Sequence, residues 1–241
     1  MRKVVSFMGG DHGVGTTMLT ESVCSVISAA HPGIRLLLIH AQSPGARSYM
    51  GSPGLCADEL IPHLEKQNPD VEEIMERSRL EGGIHVISSG SRLGSASDMH
   101  PDSAAFLLDV LRERFDLILC DAGCEIDRGF SLGLLMASAQ VWPVLVQSEN
   151  CLRRYEWLRP LFGRLGLKLS GLVINRFDPA SAFSAGYICQ RLDSSAESVM
   201  SVRSSRFGVQ AETEGRLLLS FRDSSYRKDV EALAGLLLKE L

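Results

Sequence analysis

The sequence lacks long apolar runs, paired metal-ligand motifs and any large excess of one charge. No stretch of about 18 consecutive apolar residues occurs, so no transmembrane helix is expected. The apolar run after Met1 reaches a Gly-rich turn at Gly9 and is too short for a signal peptide. Lys and Arg number 25 and Asp and Glu 29, giving a net charge of −4, which argues against holding nucleic acid by bulk charge. We therefore expect a cytoplasmic protein.

The cysteines and the missing catalytic motifs exclude several further classes. The cysteines are Cys24, Cys56, Cys120, Cys124, Cys151 and Cys189. They are scattered and form no C-x-x-C pair, so we expect reduced thiols packed as small apolar side chains, with a metal site or a disulfide as the alternative. No H-E-x-x-H or EF-hand spacing and no G-x-S-x-G elbow occurs. Zinc, calcium and serine-hydrolase chemistry are therefore not expected.

The balance of residue types and the periodicity predict a single α/β domain. Apolar residues make up 45% and charged residues 22%, which excludes a disordered chain, a collagen and a coiled coil. Short apolar runs without polar alternation are typical of parallel strands buried on both faces. The predicted strands are Lys3–Met8, Ile34–His40, Ile84–Ser88, Leu117–Asp121, Val141–Gln147 and Leu169–Asn175. The predicted helices are Thr17–Ala30, Ala57–Lys66, Asp70–Arg79, Pro101–Arg114, Arg128–Ser138, Leu152–Leu165 and Tyr226–Leu241. This alternation indicates a three-layer fold with a mainly parallel central sheet, whose loops after the strand C-termini form a ligand crevice.

A Gly-rich turn between the first strand and the first helix carries the clearest chemistry. The phosphate-loop pattern is G-x-x-x-x-G-K-[ST], and residues 10–17 match it except that Thr16 stands at the lysine position. Its glycines let backbone N–H groups converge on an anion at a helix N-terminus, and its last hydroxyl binds Mg²⁺. The predicted nucleotide-binding residues of the loop are Gly10, Gly13, Val14, Gly15, Thr16 and Thr17. A tight turn without a ligand is the alternative.

The loop resembles that of the MinD/ParA ATPases, whose usual form is KGGVGKTT. Aligned on it, Asp11 replaces the signature lysine, His12 the next glycine and Thr16 the loop lysine. The string resembles most closely the loop of the TadZ/CpaE branch, proteins that position and help assemble type IV-like pili. The resemblance implies the phosphate-loop NTPase fold for one domain over residues 1–241, without the receiver-like domain that precedes it in that branch.

Two later strands extend the resemblance. Residues 115–121 resemble the FDYVVVD strand, whose final aspartate lies on the Mg²⁺ side of the nucleotide, and this implies a metal site made by Thr17 and Asp121. Residues 171–176 resemble the LVLNR strand, which implies that Asn175 reads the adenine and that Arg176 lies beside it. The implied ligand is ATP or ADP with Mg²⁺. From the residues alone, Asp121 could instead cap the turn after its strand, and Asn175 could be a turn-former.

The same resemblance implies that hydrolysis is lost while binding elements remain. Thr16 and Asp11 stand where two lysines neutralise phosphate charge, and His40 and Gln42 stand where two aspartates serve the family's chemistry. Positive charge at the transition state contributes about 10³–10⁵ in rate, so we expect absent or very slow hydrolysis. Arg47 and Arg92 lie in predicted loops beside the crevice and could replace the lost charge, although solvated surface arginines are the simpler interpretation.

Three functions stay open at this stage. The first is a localisation or scaffold factor for pilus or secretion machinery, recruited to the inner face of the membrane or a pole. The second is an active partitioning-type ATPase, and the third is an interaction module that no longer binds nucleotide. A homodimer is implied by the resemblance, and DNA binding through the basic stretch of residues 151–168 is not favoured because Glu149 and Glu156 dilute it. The last helix is amphipathic but charge-balanced, so a core helix is favoured over membrane binding.

Overall fold

The computed structural model describes residues 3–41, 48–51, 54–80, 82–88, 99–195 and 198–239. The strands are β1 Lys3–Gly9, β2 Leu36–His40, β3 His85–Ile87, β4 Leu117–Asp121, β5 Gln140–Leu145, β6 Leu172–Phe177 and β7 Val199–Arg203. The helices are α1 Thr16–Ala30, α2 Ala57–Glu65, α3 Val71–Ser78, α4 Pro101–Leu111, α5 Gly129–Ala137, α6 Glu149–Arg164, α7 Ala185–Arg191, α8 Gly208–Glu214 and α9 Ser224–Leu238, with a 3₁₀ turn at Leu218–Ser220.

The seven strands form one sheet in the order β3-β2-β4-β1-β5-β6-β7. Each described pairing between neighbouring strands is parallel, which confirms the predicted α/β class. Strand β1 lies between β4 and β5, and the chain runs from it towards opposite edges of the sheet. Ligands of such sheets bind beyond the strand C-termini at this point of divergence, so the loop after β1 occupies the expected place.

The apolar runs form central strands because both of their faces are covered. In β2, Leu36 and Leu38 face one hydrophobic cluster while Leu37 and Ile39 face the other. Successive side chains of a strand point to opposite faces, so a strand between two helical layers needs apolar residues at every position. Helices α1 and α9 pack together in one layer, and α4 and α5 pack together in the other.

The last helix, α9, packs in the core, as the sequence predicted. In α9, Val230, Leu233, Ala234 and Leu237 are buried in the larger cluster and the helix packs on α1. All six cysteines are free; Cys24, Cys120 and Cys151 are buried and the other three are half-buried. Within the described ranges, no helix combines the length and the apolar character needed to span a bilayer.

The structure differs from the sequence-based expectation mainly near the C-terminal end of the chain. Strand β7 and helices α7 and α8 were not predicted, because each is short and fully buries only one residue, and so has little apolar periodicity. Strand β6 begins at Leu172 rather than at residue 169, since Leu169 makes only an isolated bridge to Val141. The sheet has one strand more than predicted, and β7 forms its edge.

Candidate functional site

The loop between β1 and α1 is fixed between two neighbouring strands. The N–H of Gly9 donates to the carbonyl of Gly123 at 2.7 Å, and the N–H of Gly10 donates to the carbonyl of Val144 at 2.8 Å. A Cβ at Gly10 would lie 2.1 Å from Cδ2 of Leu145, so the close approach to β5 requires glycine here. The first residues of the predicted phosphate loop are therefore held rigidly at the C-terminal edge of the sheet.

The second half of the loop turns directly into α1. Gly13 and Gly15 have φ angles of 67° and 85°, a left-handed conformation that favours glycine. Helix α1 starts at Thr16 immediately afterwards. The first N–H groups of a helix have no intrahelical acceptor and carry a partial positive charge. The loop thus presents the kind of helix N-terminus that binds a phosphate.

Asn175 and Arg176, predicted to lie near the base, both contact the loop. The buried Asn175 donates from Nδ2 to the carbonyl of Val14 at 2.8 Å. Arg176 is exposed and has a φ of 51°, and its Nε and Nη2 lie 3.6 Å from the position that a Cβ of Gly15 would occupy. Among the residues that the structure describes, Arg176 forms no ion pair. An available guanidinium therefore lies at the edge of the phosphate loop, while the Asn175 amide holds the loop in shape.

A cavity of about 530 Å³ opens above the loop, within the usual size range of small-molecule sites. Its walls are the phosphate loop with the start of α1, the turn after β4, the end of β6, and the segment between β7 and α8. The lining includes Gly13, Val14, Gly15, Thr16, Thr17, Asp121, Asn175, Arg176, Arg203, Arg206 and Val209. The lining runs from the phosphate loop past the end of β6 to the segment between β7 and α8.

The acidic residue at the signature position is held by an arginine of α6. Arg154 lies with Nη1 3.5 Å from Oδ1 of Asp11 and 3.4 Å from the carbonyl of Gly10. Its Nη2 donates to the carbonyl of Cys124 at 3.0 Å. Arg154 therefore joins the start of the phosphate loop to the turn after β4. Its positive charge is therefore paired with Asp11 and with main-chain oxygens of its own chain.

His12 lies on the outer side of this loop. Its side chain is 68% exposed. Its Nδ1 lies 3.2 Å from Sγ of Cys124, and its Nε2 lies 4.0 Å from Glu125. His12 is thus directed towards the turn after β4.

A buried ion cluster lies behind the floor of the cavity. His40 ends β2 opposite Asp121 at the end of β4, and its Nδ1 lies 3.5 Å from Asp121 Oδ2. Its Nε2 lies 3.1 Å from Oε1 of Glu21, an ion pair rather than an aligned hydrogen bond. The other oxygen of Glu21 accepts the N–H of Tyr49 at 2.8 Å. Burial alone would lower the pKa of His40, but Asp121 and Glu21 outweigh it and raise the pKa to about 9, so the imidazole is cationic near neutral pH.

This cluster bears on the predicted magnesium site at Thr17 and Asp121. The Asp121 side chain is fully buried, its Oδ1 accepts the N–H of Gly123 at 3.2 Å and its Oδ2 faces His40. Mg²⁺ prefers carboxylate oxygens that reach it directly or through its waters. Thr17 is at the right place in the loop, but both oxygens of Asp121 already face partners of this chain. As arranged, the pair does not fit a magnesium ion.

Comparisons with known proteins give fold matches only. No sequence family and no curated protein matches the chain. A ParA family ATPase from Chlorobium tepidum TLS superposes with a TM-score of 0.83 at 17% identity, covering 97% of this chain and 99% of that chain. This chain has the MinD/ParA fold. The cell division ATPase MinD from Pyrococcus furiosus gives 0.78 at 15% identity over the whole of both chains. The septum site-determining protein MinD from Pyrococcus horikoshii, complexed with Mg-ADP, gives 0.78 at 13% identity, covering 98% of this chain and 96% of the other.

Within the MinD/ParA fold, most of the predicted site residues line one cavity. The loop residues from Gly13 to Thr17 meet Asp121, Asn175 and Arg176 there. Gln42, Arg47 and Arg92 lie outside the described residues. Sequence reasoning missed Glu21 and Arg154, which contact the site through tertiary packing. Glu21 does carry a signal in the sequence. It lies three residues before the buried Cys24 on the same face of α1, and a carboxylate buried there needs a partner.

Substitution of Gly15 tests the contact between the loop and Asn175. Gly15→Ala is expected to lower the free energy of unfolding by about 2–4 kcal/mol, measured by urea titration. About 1–2 kcal/mol comes from the left-handed φ, and the rest from displacing the Asn175 amide from its buried hydrogen bond. The added Cβ would lie 2.7 Å from Nδ2 of Asn175.

Gly13→Ala is the matched control. Gly13 has a similar φ of 67°, but a Cβ there would meet nothing within 4 Å. It should therefore lose only the backbone part, about 1–2 kcal/mol. Equal losses in the two variants would show that the Asn175 contact does not stabilise the loop.

Proposed function

We propose that this protein is a nucleotide-binding localisation or scaffold factor of the TadZ/CpaE type, with little or no ATP hydrolysis. It would act at the cytoplasmic side of a pilus or secretion machine as one domain over residues 1–241. The observation that carries the proposal is made at one cavity, where the left-handed Gly13 and Gly15 are kept while the lysine charge is missing. The loop turns directly into α1 after the left-handed Gly15, while Thr16 and the Arg154-bound Asp11 stand where the resemblance places the two lysines.

The binding half of the proposal is supported by what the cavity retains. The left-handed glycines and the N-terminus of α1 offer N–H groups to an anion. Arg176 adds an available positive charge at the loop edge. Solved structures with this fold include proteins described as complexed with Mg-ADP, with ATP and with AMPPNP. A cavity of this size argues against the third possibility, an interaction module that has lost nucleotide altogether.

The loss of hydrolysis follows from the charges that are absent or committed elsewhere. Phosphoryl transfer depends mainly on positioning and on positive charge around the transferred group. Asp11 adds a negative charge beside the phosphate loop, and Arg154 is occupied in balancing it. His40 stands at the position of a family aspartate, so this position offers no carboxylate to a water molecule. Its imidazole is paired with Glu21 and Asp121.

An active ATPase is the second candidate, and Arg176 favours it. A guanidinium beside the loop could take over part of the charge of the missing lysine, as arginine does at many phosphoryl-transfer sites. The structure places Arg176 beside Gly15, at the β6 edge of the loop. We favour the weakly active or inactive protein because one displaced arginine does not replace both lysines.

The proposed partners are those of a localisation or scaffold role. A homodimer and proteins of a pilus or secretion machine are the expected partners, and one solved structure with this fold is described as a MinC:MinD complex. DNA is not favoured, because Arg154 binds the phosphate loop and Arg159 donates to the carbonyl of Leu192, so the basic stretch is not a continuous free patch. Since α9 is packed in the core, contact with a membrane would be indirect.

Imaging in the cells that make the protein tests the localisation role. A fluorescent fusion of the full chain is expected to form foci with the assembly platform of a pilus or secretion machine, and to become diffuse when that platform is deleted. Foci that instead follow the nucleoid would favour the partitioning ATPase, and diffuse protein in the presence of the platform would contradict the proposal.

A further inference from the structure

We propose that this cavity takes its nucleotide in the magnesium-free form, because His40 already provides the positive partner of Asp121. The inference rests on the proposed nucleotide-binding function and narrows it to one ionic form of the ligand. It concerns the floor of the cavity, where β2 and β4 end side by side.

The geometry commits Asp121 to groups of this chain. Its side chain is fully buried, one carboxylate oxygen accepts the N–H of Gly123, and the other faces Nδ1 of His40 at 3.5 Å. The parallel register of β2 and β4 places His40 directly opposite Asp121. The arrangement is therefore set by the sheet itself and not by a flexible side chain in a loop.

The far side of the imidazole fixes this arrangement further. Nε2 of His40 lies 3.1 Å from Oε1 of the fully buried Glu21. With a carboxylate facing each ring nitrogen, the ring can satisfy both only as a donor at both. Turning His40 away to free Asp121 for a metal would leave two buried carboxylates without a counter-charge, which is strongly unfavourable.

At the phosphate end of the cavity, two groups of this chain can take the place of the metal as partners of the phosphates. The N-terminus of α1 and the exposed guanidinium of Arg176 lie beside the loop, and both attract phosphate oxygens. An ADP without magnesium exposes all of its phosphate oxygens to these groups. Magnesium in solution chelates ADP and so competes with them for the same oxygens.

Titration of the wild-type chain with ADP, by calorimetry, decides the question. The affinity in excess EDTA is expected to be equal to or higher than that in millimolar MgCl₂, and a decrease in EDTA of less than about threefold counts as equal. A larger decrease in EDTA would overturn the inference and leave nucleotide binding standing. No binding of ADP under either condition would overturn both the inference and the nucleotide-binding part of the proposed function.

His40→Asp supplies the comparison within the same fold. It restores a carboxylate at this position and removes the positive partner of Asp121. Magnesium is then expected to raise the ADP affinity by about tenfold or more. A folded His40→Asp protein whose ADP affinity stays independent of magnesium would show that His40 does not control the metal, and so would count against the inference. If this variant does not fold, the wild-type titration decides alone.

Discussion

Thr16→Lys is expected to tighten ATP binding by about tenfold to a hundredfold. Thr16 is the first residue of α1, directly after the left-handed Gly15, and it lines the cavity. A lysine there would carry its ammonium to the phosphates. One charge pair near 4 Å contributes roughly 4 kcal/mol at an effective dielectric of about 20, and competition from Asp11 and desolvation of the ammonium reduce the net gain.

Thr16→Met is the control for this substitution. Methionine has nearly the same length and flexibility as lysine but carries no charge, so it reports the steric part of the change. ATP titrations of both variants, in matched buffers at low ionic strength, isolate the contribution of the ammonium. If Thr16→Lys binds ATP no more tightly than Thr16→Met, the phosphates do not lie above this loop and the proposed orientation of the nucleotide is wrong.

Between pH 6.5 and about 9 the protein is expected to lose unfolding free energy on the order of 3 kcal/mol because of His40. The pKa of His40 rises from 6.5 to about 9 on folding: burial opposes the charged form, but Asp121 and Glu21 outweigh burial. A group whose pKa is raised in the folded state stabilises the protein fully below its unfolded pKa. That contribution disappears as pH rises through the folded pKa.

His40→Gln provides the reference for this pH dependence. The difference in unfolding free energy between wild type and variant should decrease from pH 6.5 to pH 9, as measured by urea titration at each pH. Burial raises the pKa of Cys24 far above this window and that of Cys120 to about 12, and both thiols are present in wild type and variant, so their contribution cancels in the difference. A difference that is constant across this range would show that His40 is not a buried cation in the folded protein.

The phosphate loop could be predicted from the sequence because its information is local. Gly10, Gly13 and Gly15 are needed for a close approach and for positive φ angles, and these needs are visible within eight consecutive residues. The central strands were predictable for a similar reason, since each is an uninterrupted apolar run.

The electrostatic partners of the site could not be predicted in the same way. Arg154 is 143 residues from Asp11 along the chain, and nothing in its local sequence distinguishes it from neighbouring surface arginines. His40 contacts Glu21 only because α1 crosses β2 at one particular height. The edge strand β7 was missed because only one of its five residues, Val202, is buried. Contacts of this kind depend on packing between distant segments, and the periodicity of apolar residues does not report which segments pack together.

Equilibrium dialysis against ATP, with ATP and ADP quantified in both chambers, tests the central claim most directly because it reads binding and hydrolysis together. The wild-type chain is expected to hold an excess of ATP on its own side, approaching about one molecule per chain at saturation, while ADP does not accumulate. ATP equal in both chambers would show that the cavity does not bind the nucleotide. ADP accumulating at about one turnover per minute, and abolished by Thr17→Ala, would show that the protein is an active ATPase after all.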